Sequence, residues 1–237
     1  MIIDWHSHIL PLMDDGSQSA DESVEMLCAL QNQGVATVIA TPHFFANEES
    51  VDDFLARRQT AKETLLAKDD GSLPEVLCGA EVRYYPGIAK MRGLERLTIE
   101  GTNILLLEMP MSRWTEYTIK ELVELASARG LRVVMAHIER YLGFQDRETL
   151  DKLLGDGLLM QTNASFFKRI GSRRRALALL NSGRIHFIGS DCHNMTSRAP
   201  NIDSAYELIE KRFGEDYVLQ MLEYGKRVLD NGRKAII

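Results

Sequence analysis

Seven short apolar runs, with stretches of helical periodicity lying between them, constrain this chain more than any other feature. The runs occupy residues 2–5, 35–41, 75–81, 104–108, 132–137, 158–162 and 185–190. Their near-continuous apolar character fits strands buried on both faces, as in a parallel sheet covered by helices. The helical stretches fall at 21–33, 54–67, 116–128, 173–181, 202–213 and 215–230. In the first, Val24, Leu27, Cys28 and Leu30 share a face, Ser19 and Glu22 form a capping box, and Gly34 stops the helix. Units of this kind build either a doubly wound sheet or a closed barrel. No linker, repeat or low-complexity tract interrupts the 237 residues, so a single domain over 1–237 is expected.

Composition narrows the partners. The chain carries 34 acidic and 28 basic side chains, a formal charge of −6. That balance argues against nucleic acid and anionic membranes as partners. Cys28, Cys78 and Cys192 are too few and too scattered for a disulfide framework. The start, Met1-Ile2-Ile3-Asp4, has neither a charged n-region nor a long apolar h-region, so no signal peptide is expected. No apolar run approaches the length of a membrane span. A reducing, cytoplasmic setting is the expectation. The basic run Arg173-Arg174-Arg175 reads as a solvated helix start, and nothing in the sequence speaks to oligomeric state.

Polar residues of metal-ligand type gather at the strand ends. His6 and His8 follow the first strand, with Asp14 and Asp15 in the next loop. His43 follows the second strand, while Glu81, Glu108 and His137 end the third, fourth and fifth. Asp191 and His193 follow the seventh. In parallel α/β folds the carboxyl ends of the strands converge on one face, where active sites form. Uncompensated buried carboxylates and imidazoles are costly, and a metal cluster supplies the compensation. Mixed imidazole and carboxylate ligands without thiolate suit Mn, Fe, Co or Zn. Several carboxylates permit bridging between ions, as in multi-metal phosphoesterases. His186 starts the seventh strand, at the opposite end, and reads as structural.

The segments His6-Ser7-His8-Ile9-Leu10-Pro11, Asp14-Asp15-Gly16, Ala40-Thr41-Pro42-His43, Gly79-Ala80-Glu81, His137-Ile138-Glu139-Arg140 and Ser190-Asp191-Cys192-His193-Asn194 resemble the polymerase-and-histidinol-phosphatase (PHP) superfamily. The chain is most similar to its bacterial manganese-dependent protein-tyrosine phosphatases of capsular and exopolysaccharide operons. The likeness runs to the ending Gly232-Arg233-Lys234. The resemblance implies an α/β fold, a distorted seven-stranded (β/α) TIM-like barrel, holding three divalent ions. Manganese is the metal it implies, although Fe, Co and Zn accept the same ligands. It implies His6, His8, Glu81 and Asp191 around one ion, with Glu81 bridging to a second completed by Glu108 and His137. Asp15, His43 and His193 would hold the third, Asp15 being matched because it directly precedes Gly16. Arg140 and Arg198 match arginines that contact phosphate, although Ala199 stands where relatives often carry proline.

The reaction implied is hydrolysis of phosphotyrosine by a hydroxide held between metals, with His193 or a metal-bound water protonating the leaving phenolate. The implied partner is the phosphotyrosine tail of a bacterial tyrosine kinase that regulates polysaccharide export. Two other functions use the same residues: a small-molecule phosphatase, such as one acting on histidinol phosphate, and a non-catalytic metal-binding module. Cys192 and Arg198 also fit the Cys-x5-Arg pattern of cysteine-dependent tyrosine phosphatases, but no glycine lies between them to let backbone amides wrap a phosphate. Phe44, Phe45, Tyr84, Tyr85, Trp114, Phe166 and Phe167 follow strand ends and read either as a rim for the tyrosyl ring or as loop-packing hydrophobes. Asn163 reads as a substrate or ligand partner or as a loop cap. Asp15, Glu81, Glu108 and Asp191 account for −4 of the net charge, so an acidic chain is compatible with a cationic, anion-accepting loaded site.

Overall fold

The computed structural model describes residues 1–234, and every strand pair in it is parallel. β1 (Ile2–Ser7) pairs with β2 (Val35–Ala40), which pairs with β4 (Glu75–Cys78). A second run orders β3 (His43–Phe44), β5 (Glu81–Arg83), β6 (Ile104–Glu108), β7 (Arg132–Met135), β8 (Leu159–Asn163) and β9 (Phe187–Gly189). The runs are continuous in register, since Ala40 pairs with Cys78 and His43 with Glu81. The strands expected at 35–41 and 75–81 are therefore interrupted side by side. Pro42 has no N–H to give the ladder, and its carbonyl accepts from the Glu81 amide at 3.0 Å. Gly79 lies beside Ile99, where an added Cβ would come within 3.3 Å of that side chain.

The sheet curls until its two ends meet. Ser7 bridges Cys192, His8 N donates to Cys192 O at 2.9 Å, and Asp191 N donates to His6 O at 2.8 Å. Asp4 reinforces the junction from below. It is fully buried and accepts from Ser190 N at 2.8 Å and Ser190 Oγ at 2.6 Å. Burial raises its carboxyl to about 6.

Helices cover the outer face. α1 (Ala20–Asn32) starts at the predicted Ser19 cap, whose side chain accepts from Glu22 N. α2 (Val51–Leu66) begins earlier than expected because Ser50 caps it through Asp53 N. α3 (Glu116–Ser127) follows β6, and α4 (Arg147–Gly155), unforeseen in the sequence, is capped by Asp146. α5 (Ala164–Lys168) and α6 (Ile170–Asn181) follow β8. α7 (Asp203–Phe213) and α8 (Glu215–Lys234) complete the described chain.

Two apolar clusters form. The larger lies between the strands and the covering helices, with Leu27 and Leu30 of α1 and Leu122 and Leu125 of α3 fully buried. The smaller joins Ile3, Trp5, Ile39, Leu106 and Phe187 to Val228 and Leu229 of α8. Trp5 stacks on Phe187 at 3.8 Å between centroids. Close seating of α8 requires Gly232, whose Cβ would meet Ile104 at 3.0 Å. Strand residues on this side turn polar toward the carboxyl ends, where Leu106 gives way to Glu108.

Candidate metal centre

The strand ends deliver the expected ligand residues to one place. His6, His8, Glu81, Glu108, His137, Asp191 and His193 are all buried. His43 is partly exposed and Asp15 is 64% exposed, so the cluster opens to solvent on their side. Three groups bring their ligand atoms within 4.8 Å of one another: His6, His8 and Glu81; His43, Glu81 and Glu108; and His8, Asp15, His43 and His193. Asp191 Oδ1 lies 3.7 Å from His6 Nε2 and 3.5 Å from His8 Nε2, beside the first group. His137 Nε2 lies 2.7 Å from Glu81 and 3.8 Å from Glu108, beside the second. All nine predicted ligands therefore assemble. The groups share members more than the sequence implied, His8 reaching the Asp15 group and His43 the Glu81–Glu108 pair.

The spacing fits cations. An ion bonded at about 2.1 Å holds neighbouring ligand atoms about 3.0 Å apart in an octahedron and about 3.4 Å apart in a tetrahedron. Glu81 Oε2 lies 3.2 Å from His6 Nε2, 3.4 Å from His8 Nε2 and 3.0 Å from His43 Nδ1. His193 Nε2 lies 3.4 Å from Asp15 Oδ1. His43 Nδ1 and His193 Nε2 are buried yet lack an aligned hydrogen bond. The 3.0 Å approach of His43 Nδ1 to Glu81 is thus a meeting of two ligand atoms, and these unpartnered nitrogens fit a metal centre.

Each remaining histidine is oriented from behind. His8 Nδ1 meets Asp14 Oδ2 at 2.7 Å, His6 Nδ1 meets Gln161 Oε1 at 3.3 Å, and His137 Nδ1 meets the Tyr141 hydroxyl at 3.2 Å. His193 Nδ1 faces the carbonyl of Asp191 at 3.0 Å. With an acceptor at Nδ1, all four rings turn Nε2 into the cluster. Asp14 also accepts from the amides of His43 at 2.8 Å and Gly16 at 2.9 Å. Gly16 has no room for a side chain, since a Cβ there would sit 2.3 Å from His8 O. Asp14 was legible only as the neighbour of Asp15, and Gln161 and Tyr141 gave no signal at all. Gln161 could have been found from the two-residue period that sets it on the same side of β8 as Asn163. Asn163 is a ligand partner, donating to Asp191 Oδ2 at 2.6 Å and accepting from Gln161 Nε2 at 3.1 Å.

The electrostatics follow from these contacts. Burial works against charge on His8, but Asp14 and Glu81 outweigh it and lift the ring to about 10. Burial likewise opposes ionisation of Glu81, yet His6 and the His137 bond hold it well below the usual carboxylate range. Asp191 is held down by His6, His8 and Arg198 against the same opposition. Backbone strain concentrates here too: His137 and Asp191 take positive φ of 33° and 52°.

Arg140 and Arg198 reach the same carboxylate. Arg140 Nη2 lies 2.8 Å from Asp191 Oδ2, and Arg198 Nη2 lies 2.9 Å from Asp191 Oδ1. Other sequence candidates fall away. Cys192 is buried and burial pushes its thiol up, the reverse of an activated cysteine nucleophile. Phe44, Trp114 and Phe167 are buried in the core, and Tyr84 donates to Glu121. Phe45 stacks on His43 with Arg83 over its ring, and Phe166 lines a cavity beside Asp191. His186 accepts from Met160 N at 3.1 Å and burial lowers it to about 4, as fits a structural residue.

Fold and site define a class: a parallel α/β protein carrying an imidazole–carboxylate cluster of metal-ligand geometry at the carboxyl ends of its strands. Comparison with known proteins gives the particular family. The chain belongs to the capsular polysaccharide synthesis CpsB/CapC family, whose model matches residues 2–230. It is 32% identical over 241 residues to tyrosine-protein phosphatase YwqE of Bacillus subtilis, covering 97% of this chain and 92% of the relative. It is 31% identical over 255 residues to tyrosine-protein phosphatase CpsB of Streptococcus pneumoniae, covering 100% and 98%. A crystal structure from work on those two proteins, described as unique metal-dependent tyrosine phosphatases, superposes with a TM-score of 0.83 at 28% identity, covering 97% of this chain and 95% of that one.

Proposed function

We propose that the protein is a metal-dependent protein-tyrosine phosphatase of capsular polysaccharide synthesis, working as a single domain over 1–237. Residues 235–237 of that domain lie outside the described residues. The finer architecture is a distorted seven-stranded (β/α) barrel of the PHP type, an assignment supported by the Ser7–Cys192 bridge. One observation carries the function: four histidines turn Nε2 into a carboxylate cluster on which two arginines converge.

Three divalent ions, manganese by family likeness, would be held by His6, His8, Glu81 and Asp191, by Glu81, Glu108 and His137, and by Asp15, His43 and His193. When bound, they supply Lewis acidity and lower the pKa of a water toward about 7. Arg140 and Arg198 are about one-third exposed and present planar forks to phosphate oxygens. His193 turns Nε2 into the cluster while its Nδ1 faces the Asp191 carbonyl at 3.0 Å, so it serves as a ligand and the leaving phenolate draws its proton from solvent. Phenolate, with a conjugate acid near 10, is a fair leaving group. The open side at Asp15 suits a phosphotyrosine on a flexible protein tail, such as that of a bacterial tyrosine kinase in the cytoplasm, over a lidded small phosphoester.

The test is elemental analysis of the purified protein with phosphotyrosine-peptide hydrolysis measured before and after chelation. Activity is expected to vanish on chelation, return with manganese and exceed that on histidinol phosphate. Activity that resists both chelation and His6→Ala overturns the reading. A metal-loaded protein inert toward every aryl phosphate is a binding module.

A further inference from the structure

The cavity beside Asp191 is larger and more basic than one phosphate requires. It has a volume of about 450 Å³, and its lining includes Arg140 and Arg198, Asn163 and Phe166, and Arg169 and Ser172 at the start of α6. A space of that volume is about 9–10 Å across, within the range of ligand sites. Arg140 and Arg198 are both held by Asp191. Arg169 is exposed and pairs with no carboxylate among the described residues.

Charge is unevenly spread around this cavity. From residue 157 to 202 the single acidic residue is Asp191, whereas seven residues are basic, five of them within 168–175. The rest of the chain then holds 21 basic and 33 acidic side chains, a balance of −12. The α5–α6 wall is therefore a cationic face on an acidic protein. The other acidic group lining the cavity, Glu139, is occupied by the Thr162 hydroxyl at 2.7 Å. A cavity lined both by a phosphate clamp and by a further guanidinium free of carboxylates matches a ligand with two anionic groups.

We propose that Arg169 forms a second anion subsite, which reads an acidic side chain adjacent to the phosphotyrosine in the substrate. This rests on the phosphatase reading above and names its substrate class: phosphotyrosine flanked by a carboxylate or a further phosphate. Consecutive residues of an extended chain advance about 3.3–3.6 Å. A side chain one or two positions from the phosphotyrosine therefore falls within the cavity, about 9–10 Å wide, that Arg169 lines. The charged pair forms in a partly enclosed cleft and is expected to contribute about tenfold in kcat/KM, or about 1.4 kcal/mol.

The experiment compares matched phosphotyrosine peptides on the manganese-loaded enzyme, with Ala, Asp, phosphotyrosine or Lys at each position flanking the scissile residue. The native enzyme is expected to favour acidic over neutral neighbours about tenfold, chiefly through KM. The Asp and phosphotyrosine arms tell whether carboxylate or phosphate is the better second anion. Arg169→Ala is expected to bring the acidic-to-neutral ratio to about one, and Arg169→Glu to shift preference toward the Lys peptide. Melting temperatures of both variants verify folding. A native enzyme that hydrolyses all four peptides equally, or an Arg169→Ala variant that keeps the preference, overturns the subsite while the phosphatase reading stands. A native enzyme that hydrolyses none of them overturns both.

Discussion

Asp14→Asn tests whether the cluster depends on a residue that is not a ligand. The substitution preserves volume and leaves all nine candidate ligands in place. Three donors, His8 Nδ1, His43 N and Gly16 N, converge on the two carboxylate oxygens. An amide in either orientation leaves a donor facing a donor, and Gly16 lies so close to His8 that even a Cβ there would sit 2.3 Å from His8 O. The 2.7 Å bond from His8 is charge-assisted and contributes about 2 kcal/mol. That corresponds to about 30-fold in affinity, within the 10–100-fold typical of partners behind a metal-bound histidine. Titration of chelated, dialysed protein with manganese by calorimetry is expected to show Kd weakened by about that factor. Proton release should fall as well. His8 is raised to about 10, so at pH 7.5 the native ring is charged and must lose its Nε2 proton to bind a cation. Asp14→Asn removes the main partner of that charge, and fewer protons are expelled. A variant that binds manganese within threefold of the native protein, with unchanged proton release and melting temperature, refutes the orienting role.

Cys192→Ser is expected to keep metal content and activity within about twofold, because a buried thiol of raised pKa is no nucleophile; complete loss of activity with metal retained contradicts this. Gly189→Ala would put a Cβ 2.6 Å from His6 Cβ and 2.8 Å from Gln161 Nε2. Overpacking of that kind costs about 1–3 kcal/mol, so the melting temperature should fall by roughly 3–10 °C, and a shift under 1 °C would sink the argument. His186 is lowered to about 4, so the unfolded chain takes up a proton as pH drops below 6.5 that the native state refuses until near 4. Stability conferred by the neutral ring is therefore present above 6.5 and lost between 6.5 and 4. Urea titrations of His186→Gln should show a shallower acid loss than the native protein, by about 3 kcal/mol at pH 4; parallel pH curves would rule it out.

The strand-and-helix alternation was readable because parallel strands are apolar on both faces and helices between them keep their caps. The candidate ligands were readable because most of them sit just past an apolar run, where a polar residue stands out. What escaped was whatever depends on the path the loops take after the strands. Asp14 looked like half of a turn, and only the fold puts it behind His8. Nothing in the sequence marked Tyr141, whose hydroxyl reaches the ring through the left-handed turn at His137. α4 was hidden because its stretch, 147–155, is short and strongly polar. The paired breaks at Thr41-Pro42 and Gly79-Ala80 were invisible for a similar reason. Each run read as one strand, and the interruption became evident only where the two lie in register.

The junction of β1 with the segment after β9 has a consequence for the life of the chain. His6 and His8 come from one side of that seam and Asp191 and His193 from the other, so the ligand set is drawn from both extremes of the sequence. No fragment released early from synthesis holds it, and closing so long a loop is among the slowest contacts a chain makes. The candidate metal centre thus assembles only once the segments on both sides of the seam have been made. A nascent chain has half of its imidazoles in place long before it has the means to capture a cation between them, and a cation captured at the end acts as a clasp on the whole circuit.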